Sequence, residues 1–225
     1  MTTIAAQVRA MHTKSAAEPS SQVTDAFTRE RAALAETALP DGILPLGSAV
    51  PDADLLDAHG ASTTLYAATH GRRSVVVFYR GAWCPYCNLA LRHYQEHLLP
   101  ALEEQGVALV AISPQTPDGS LTMQQKHGLG FAVLSDPGST VAGHLGILTA
   151  PSIEARAAQL RFGLDLTDVN ADGTVALPMP TTVVLDDDQV LRWIDVHPDY
   201  STRSEVDDIL AALGRLGREA GGNPS

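Results

Sequence analysis

Cysteine is nearly absent. The 225 residues contain two, Cys84 and Cys87, three positions apart. A disulfide-stapled framework is therefore excluded, and so is a four-cysteine zinc centre, which would need a second pair. Basic residues are scarce as well: 15 Lys and Arg stand against 26 Asp and Glu, a net charge of −11. That balance excludes a nucleic-acid groove, which clusters cations on one face. No apolar run approaches the roughly 20 residues that a membrane-crossing helix requires. Residues 1 to 20 lack the basic, apolar and small-residue sequence of a secretory leader. These absences lead us to expect a reducing, cytoplasmic compartment, with no nucleic-acid or membrane partner.

What is present centres on Val75 to Cys87. Val75-Val76-Val77-Phe78-Tyr79 is a short, continuous apolar run rich in valine and aromatics. Such a run reads as a strand covered on both faces inside a largely parallel sheet. Gly81 breaks it. Pro85 suits the first turn of a helix, and Leu91, Tyr94, Leu98 and Leu102 then share one face. Cys84 thus stands at a helix N-terminus, where unpaired N–H groups and the macrodipole favour a thiolate. Cys87 lies one turn on, within reach for a disulfide. A redox pair is the reading that this strand, turn and helix support; half a zinc site and two core cysteines are the alternatives.

The rest of the chain supplies a scaffold. Residues 1 to about 20 read as loosely ordered, and Ser21 to about Leu39 as an amphipathic helix packing on the domain or on a second subunit, so a homodimer stays open. Together, residues 1–43 form a helical extension, 44–217 one domain, and 218–225 a flexible tail. Pro45 to Leu65 reads as a leading hairpin. Pro100 is expected to kink the organising helix. Val107 to Ile112 and Phe131 to Leu134 are further buried strands, with a helix started by Ser113 to Gln125 between them and another over Thr140 to Leu145. Ile153 to Phe162 reads as a helical insertion. Thr182 to Leu185 and Val190 to Ile194 form a hairpin through an acidic turn. Ser204 with Asp207 opens a last helix that buries Val206, Ile209, Leu210, Leu213 and Leu216. The expected class is α/β, a central mixed sheet flanked by helices, with a helical N-terminal extension.

The strand ending in a Cys-x-x-Cys helix, the crossover strand, and the late proline before a hairpin resemble the thioredoxin fold. Trp83-Cys84 looks like the Trp-Cys pair of thioredoxins, and Cys84-Pro85-Tyr86-Cys87 matches the active-site tetrapeptide of many glutaredoxins. Phe78-Tyr79-Arg80-Gly81, Ile112-Ser113-Pro114, Lys126-His127-Gly128-Leu129 with Phe131, Leu134-Ser135-Asp136 and Gly146 resemble the bacterioferritin-comigratory branch of the peroxiredoxins, over roughly Gly47 to Leu216. The resemblance implies a thiol peroxidase acting on hydrogen peroxide or organic hydroperoxides. Thioredoxin, glutaredoxin or a low-molecular-weight thiol would recharge it, and no cofactor is needed. A thiol-disulfide oxidoreductase without peroxidase activity is the first rival. A non-catalytic soft-metal or partner-binding module is a rival of another class.

The reactive centre departs from the peroxiredoxin pattern. Laid on this chain, Pro-x-x-x-Thr-x-x-Cys puts Arg80 at the Pro, Cys84 at the Thr and Cys87 at the Cys. The family's arginine position falls at Met179-Pro180-Thr181-Thr182. Pro180 instead looks like the cis-proline that thioredoxins set against their cysteines, with Thr181 beside it in a substrate groove that Trp83, Pro85 and Tyr86 complete. Arg80 is the one cation nearby in sequence, either polarising a peroxide and steadying a thiolate or capping the strand end in water. Helix geometry makes Cys84 the exposed nucleophile and Cys87 its buried resolving partner; the peroxiredoxin alignment assigns them the other way. Without the Thr and Arg, peroxide oxidation is expected to run about two to four orders of magnitude below that of a full peroxiredoxin pocket.

Two patterns compete for attention. His93-Tyr94-Gln95-Glu96-His97 spells a zinc-protease motif, yet both histidines fall off the apolar stripe, so a solvated face is expected. Asp168 to Gly173 begins like a calcium loop, but Met179 stands where the bidentate Glu belongs, so a turn is expected. Asp186-Asp187-Asp188 reads as a solvated turn.

Overall fold

The structure, a computed structural model, describes residues 2–17 and 21–221. Its elements run α1 (Ile4–Ala16), α2 (Gln22–Ala35), β1 (Asp54–Leu56), β2 (Ser62–Thr64), α3 (Leu65–Thr69), β3 (Ser74–Phe78), α4 (Pro85–His97) and α5 (Leu99–Glu104) in the first half. The second half holds β4 (Ala108–Ser113), α6 (Pro117–His127), β5 (Ala132–Ser135), α7 (Thr140–His144), β6 (Leu148–Thr149), α8 (Ile153–Arg161), α9 (Leu166–Val169), β7 (Leu177–Pro178), β8 (Thr181–Leu185), β9 (Leu191–Val196) and α10 (Val206–Gly221).

Seven strands form one sheet in the order β2-β1-β5-β4-β3-β8-β9. β3 pairs in parallel with β4 and antiparallel with β8, which makes the sheet mixed and puts β3 at its interior. Side chains alternate along a strand, so the apolar run of β3 feeds two cores. Val75, Val77 and Tyr79 join α4, α10 and α1 on one face, whereas Val76 and Phe78 join Leu65 of α3 and Val141 of α7 on the other. Each valine buried in this way contributes roughly 1.5 to 3 kcal/mol relative to exposure. The expected hairpins are there: β1 pairs with β2, and β8 with β9. Proline 100 sits in the first turn of α5, and the break at Leu98 follows because its ring has no N–H and would crowd the carbonyl four residues back.

The N-terminal residues correct an expectation. Instead of being loose, residues 4–16 form α1, with Ile4 and Val8 buried against the main core. Only one apolar residue per turn marks this helix in the sequence; contacts made far along the chain stabilise it. The Glu205 carboxylate accepts from Ile4 N at 2.9 Å and Ala5 N at 2.8 Å, which satisfies two open N–H groups. α1 also covers His93. That side chain is 2 % exposed and shares a 3.1 Å hydrogen bond with Gln7, so the expected solvated face fails for His93, while His97 is exposed as expected.

α2 carries the Ser21 and Thr24 capping box and packs on α8, the expected insertion. Glu30, buried in that contact, accepts from Ser152 N at 2.7 Å, the N-cap residue of α8, and Phe27 stacks on Phe162 with centroids 6.3 Å apart. The two helices form a cap that leans over the N-terminus of α4. Asn170 and Asp172 are spent on turn hydrogen bonds to Thr174 and Ala176. The final helix continues to Gly221; residues 222–225 of the expected tail lie outside the described residues.

Candidate active site

The turn between β3 and α4 places the cysteines. Gly81 has φ 151°, and a Cβ there would stand 2.5 Å from Trp83 Nε1 and 2.8 Å from Gln115 Cδ, so only glycine fits. The Gln115 amide oxygen accepts from Ala82 N, and Cys84 N donates to Gly81 O at 3.1 Å. Cys84 is the N-cap of α4, with Pro85 in the first turn. Asn88 Nδ2 ties the turn to the helix by donating to Ala82 O at 2.7 Å and Cys84 O at 2.8 Å.

Both cysteines are free thiols, 1 % and 0 % exposed. The expectation of an exposed Cys84 is thus corrected: the cap and the rings of Trp83 and Tyr86 close over the helix terminus. Charge is also distributed differently than the helix-dipole argument implies. Burial alone would push the Cys87 thiol up, but a hydrogen bond from Cys84, the Arg203 guanidinium and the Arg80 N–H and charge outweigh it and bring it well below the ordinary thiol range. Cys84 moves the other way, raised first by burial and then by the neighbouring Cys87 charge, against Arg80 and Arg203. Both shifts point the same way: the surroundings favour the negative charge on Cys87 and the proton on Cys84.

Arg203 is the residue that sequence reading missed. It lies between β9 and α10, is 8 % exposed, and places Nη2 3.0 Å from Cys87 Sγ. Its Nη1 donates to Tyr200 O at 2.7 Å and to Thr202 O, which fixes the guanidinium. The loop behind it is pinned by Asp199 to Ser201, by His197 to Thr202, and by Asp195 to both His197 and Ser204. Arg203 follows the β8 and β9 hairpin, away from the Met179-Pro180-Thr181-Thr182 stretch at the start of the late strand. No local pattern marks it, because it sits 116 residues from the sulfur it touches.

The other candidates divide. Arg80 is buried with its guanidinium carbon 4.0 Å from the Tyr200 ring centroid and 5.0 Å from that of Trp83. It is a clamped wall, not a water-facing cap. Tyr86 accepts from Arg31 and shares a 2.9 Å hydrogen bond with His12 Nε2. The His12 pKa is lowered by burial and by Arg31.

Trp83, Cys84, Pro85 and Tyr86 line one cavity of about 380 Å³, together with Phe27, Arg31, Arg80, Gln159 and Tyr200. Pro180 and Thr181 do not line it. The Met179-Pro180 bond is trans, since no cis peptide occurs among the described residues, and this corrects the expected cis-proline. Met179 N bonds to Ile147 O and His197 N to Pro180 O, so the chain runs extended from one pairing into the next. The Thr181 hydroxyl donates to Met179 O at 2.9 Å.

With this geometry in hand, comparison with known proteins gives the class. Residues 46–194 match the AhpC/TSA family, and the chain belongs to it. A Mycobacterium tuberculosis protein named "Putative peroxiredoxin Rv2521" is 35 % identical over 91 residues, covering 40 % of this chain and 57 % of the relative. The alignment thus spans little more than half of that relative's length. Among solved structures, peroxidoxin BcpB of M. tuberculosis superposes with a TM-score of 0.59 at 22 % identity, covering 77 % of this chain and 98 % of its own. A mutant of Xanthomonas campestris peroxiredoxin Q gives 0.56 at 20 %, over 79 % and 99 %. These likenesses establish the thioredoxin-like fold of the peroxiredoxins, with its mixed sheet between helices.

Proposed function

We propose that this protein is a thiol-dependent peroxidase that reduces hydrogen peroxide or organic hydroperoxides through the Cys84 and Cys87 pair. The contact between Arg203 and Cys87, with the Cys84 thiol as the second partner of the same sulfur, carries the reading. Cys84 lines the cavity and Cys87 does not, so peroxide meets Cys84 first. Its thiol is a weak nucleophile until a base takes the proton, and the Cys87 thiolate is that base. Cys84 sulfur then attacks the near peroxide oxygen, the O–O bond breaks, and the departing alkoxide or hydroxide takes the proton from Cys87. The Cys84 sulfenic acid condenses with the restored Cys87 thiolate, the S–S bond forms, and hydroxide leaves to become water. A thiol, from thioredoxin, glutaredoxin or a small molecule, returns the pair to its reduced state. No cofactor enters, and a reducing compartment such as the cytoplasm suits two free cysteines.

The test is intact mass after one equivalent of hydroperoxide. A loss of two hydrogens in the wild type, and a sulfenic acid that forms on Cys84 only slowly in Cys87→Ser, where the base is gone, support the reading. Oxidation no faster than that of a free thiolate refutes it in favour of a disulfide reductase, and no oxidation at all in favour of a binding module.

A further inference from the structure

Cys84 lines the cavity beneath the cap of α2 and α8, and the walls of that cavity describe an occupant. Phe27, Trp83, Tyr86 and Tyr200 make it largely apolar. Arg31 and Arg80 add two cations, neither of which has a carboxylate within ion-pair distance among the described residues. Gln159, 4 % exposed, lines the cavity with an Oε1 that has no hydrogen-bond partner. An unsatisfied buried amide costs stability unless something fills it. A space of about 380 Å³ admits a small molecule. It does not admit the cysteine-bearing surface of a folded protein.

We infer that the thiol recharging this pair is a small, carboxylate-bearing thiol that enters the capped cavity, with Arg31 holding the carboxylate and Gln159 a polar group. The inference rests on the proposed redox role of the pair. One thiolate attacks Cys84 sulfur, the Cys84–Cys87 bond breaks, and Cys87 departs as a thiolate onto Arg203. A low-pKa thiol leaves readily, which favours attack at Cys84 over attack at Cys87. A second thiolate attacks the sulfur of the bound small thiol. The small-molecule disulfide forms, and Cys84 leaves as a thiolate and takes up one of the two protons that the small thiols released. Two small thiols are oxidised, the protein disulfide is reduced to one thiol and one thiolate, and one proton goes to water.

The experiment starts from protein oxidised with diamide, so it stands apart from whether hydroperoxides react. Recovery of free thiols is timed with 3-mercaptopropionate, with 2-mercaptoethanol, and with thioredoxin plus its reductase, each rate expressed per thiolate. We expect the carboxylated thiol to outpace the neutral one by about tenfold, as charge-assisted binding implies. Arg31→Met, which keeps the apolar stem, should collapse that ratio, and Arg31→Lys should restore part of it. Thioredoxin should be slower than 3-mercaptopropionate. Thioredoxin being as fast or faster, or a ratio indifferent to Arg31→Met, overturns the inference. Should diamide-oxidised protein recover as expected while hydroperoxides fail to oxidise it, the peroxidase reading alone falls.

Discussion

Arg203 and Cys87 stand 116 residues apart in the chain and 3.0 Å apart in space. The guanidinium is buried, and among the described residues the sulfur is its anionic partner. Forming a disulfide removes that partner and leaves a buried cation uncompensated, a costly arrangement.

The reduced state is therefore the favoured one. We expect Arg203→Met to lower the reduction potential of the pair by about 30 to 60 mV, because roughly 1.4 kcal/mol corresponds to 30 mV for two electrons. Equilibration against a dithiol buffer measures it. An unchanged or higher potential would contradict the role assigned to Arg203.

Thiolate absorbance should titrate in two widely separated steps. The folded pKa of Cys87 lies below its unfolded value, so its ionised form contributes stability that is present above the unfolded pKa and lost as pH falls through the folded one. For Cys84, raised in the fold, the contribution runs oppositely, present at low pH and lost as pH rises. One thiolate per molecule is expected at pH 7. Cys87→Ser should abolish it, while Cys84→Ala should retain it with a higher midpoint, since the hydrogen bond from Cys84 is gone.

Cysteine roles separate kinetically. Cys84→Ser should lose nearly all peroxide reactivity in stopped flow, because the remaining thiolate lies behind the cavity wall. A rapidly oxidised Cys87 in that variant would reverse the assignment and restore the order that the peroxiredoxin alignment implies.

Arg80→Ala removes the cation between Trp83 and Tyr200 and opens the cavity wall. Peroxide oxidation should slow by about tenfold or more, and stability should fall by roughly 1 to 2 kcal/mol, the range for a desolvated cation over an aromatic face. Denaturant melts beside the rate measurement distinguish the two effects. Loss of stability with an intact rate would leave Arg80 a structural residue.

Glu205→Gln tests the placement of α1. Its carboxylate bonds two N–H groups at the start of that helix, and such a cap is worth about 1 kcal/mol. We expect that loss in a denaturant melt, together with faster hydrogen exchange at Ile4 and Ala5.

The sheet was legible because its strands are short apolar runs closed by glycines and its helices carry apolar stripes. Val75 to Tyr79 and Leu91 to Leu102 needed no partner to be read. The failures share one cause. α1, the burial of His93 and the position of Arg203 depend on contacts between residues 86 to 201 positions apart, which leave no local signature. Pro180 failed for another reason: its neighbourhood resembles a thioredoxin groove, but the strand pairings on either side hold the chain extended. The cysteine pair and the cavity residues Trp83, Pro85 and Tyr86 stood within one short segment, so helix geometry alone brought them together. Arg31 and Gln159 arrive from the cap and could not be foreseen.

Trp83 lies in the wall that Cys84 also lines, beneath the Arg80 guanidinium, whereas the second tryptophan, Trp193, belongs to β9 on the outer edge of the sheet. Indole emission is sensitive to a nearby sulfur and to the polarity around the ring. Oxidation of the pair is therefore expected to register in the emission of Trp83 before that of Trp193, an optical gauge built into one chain.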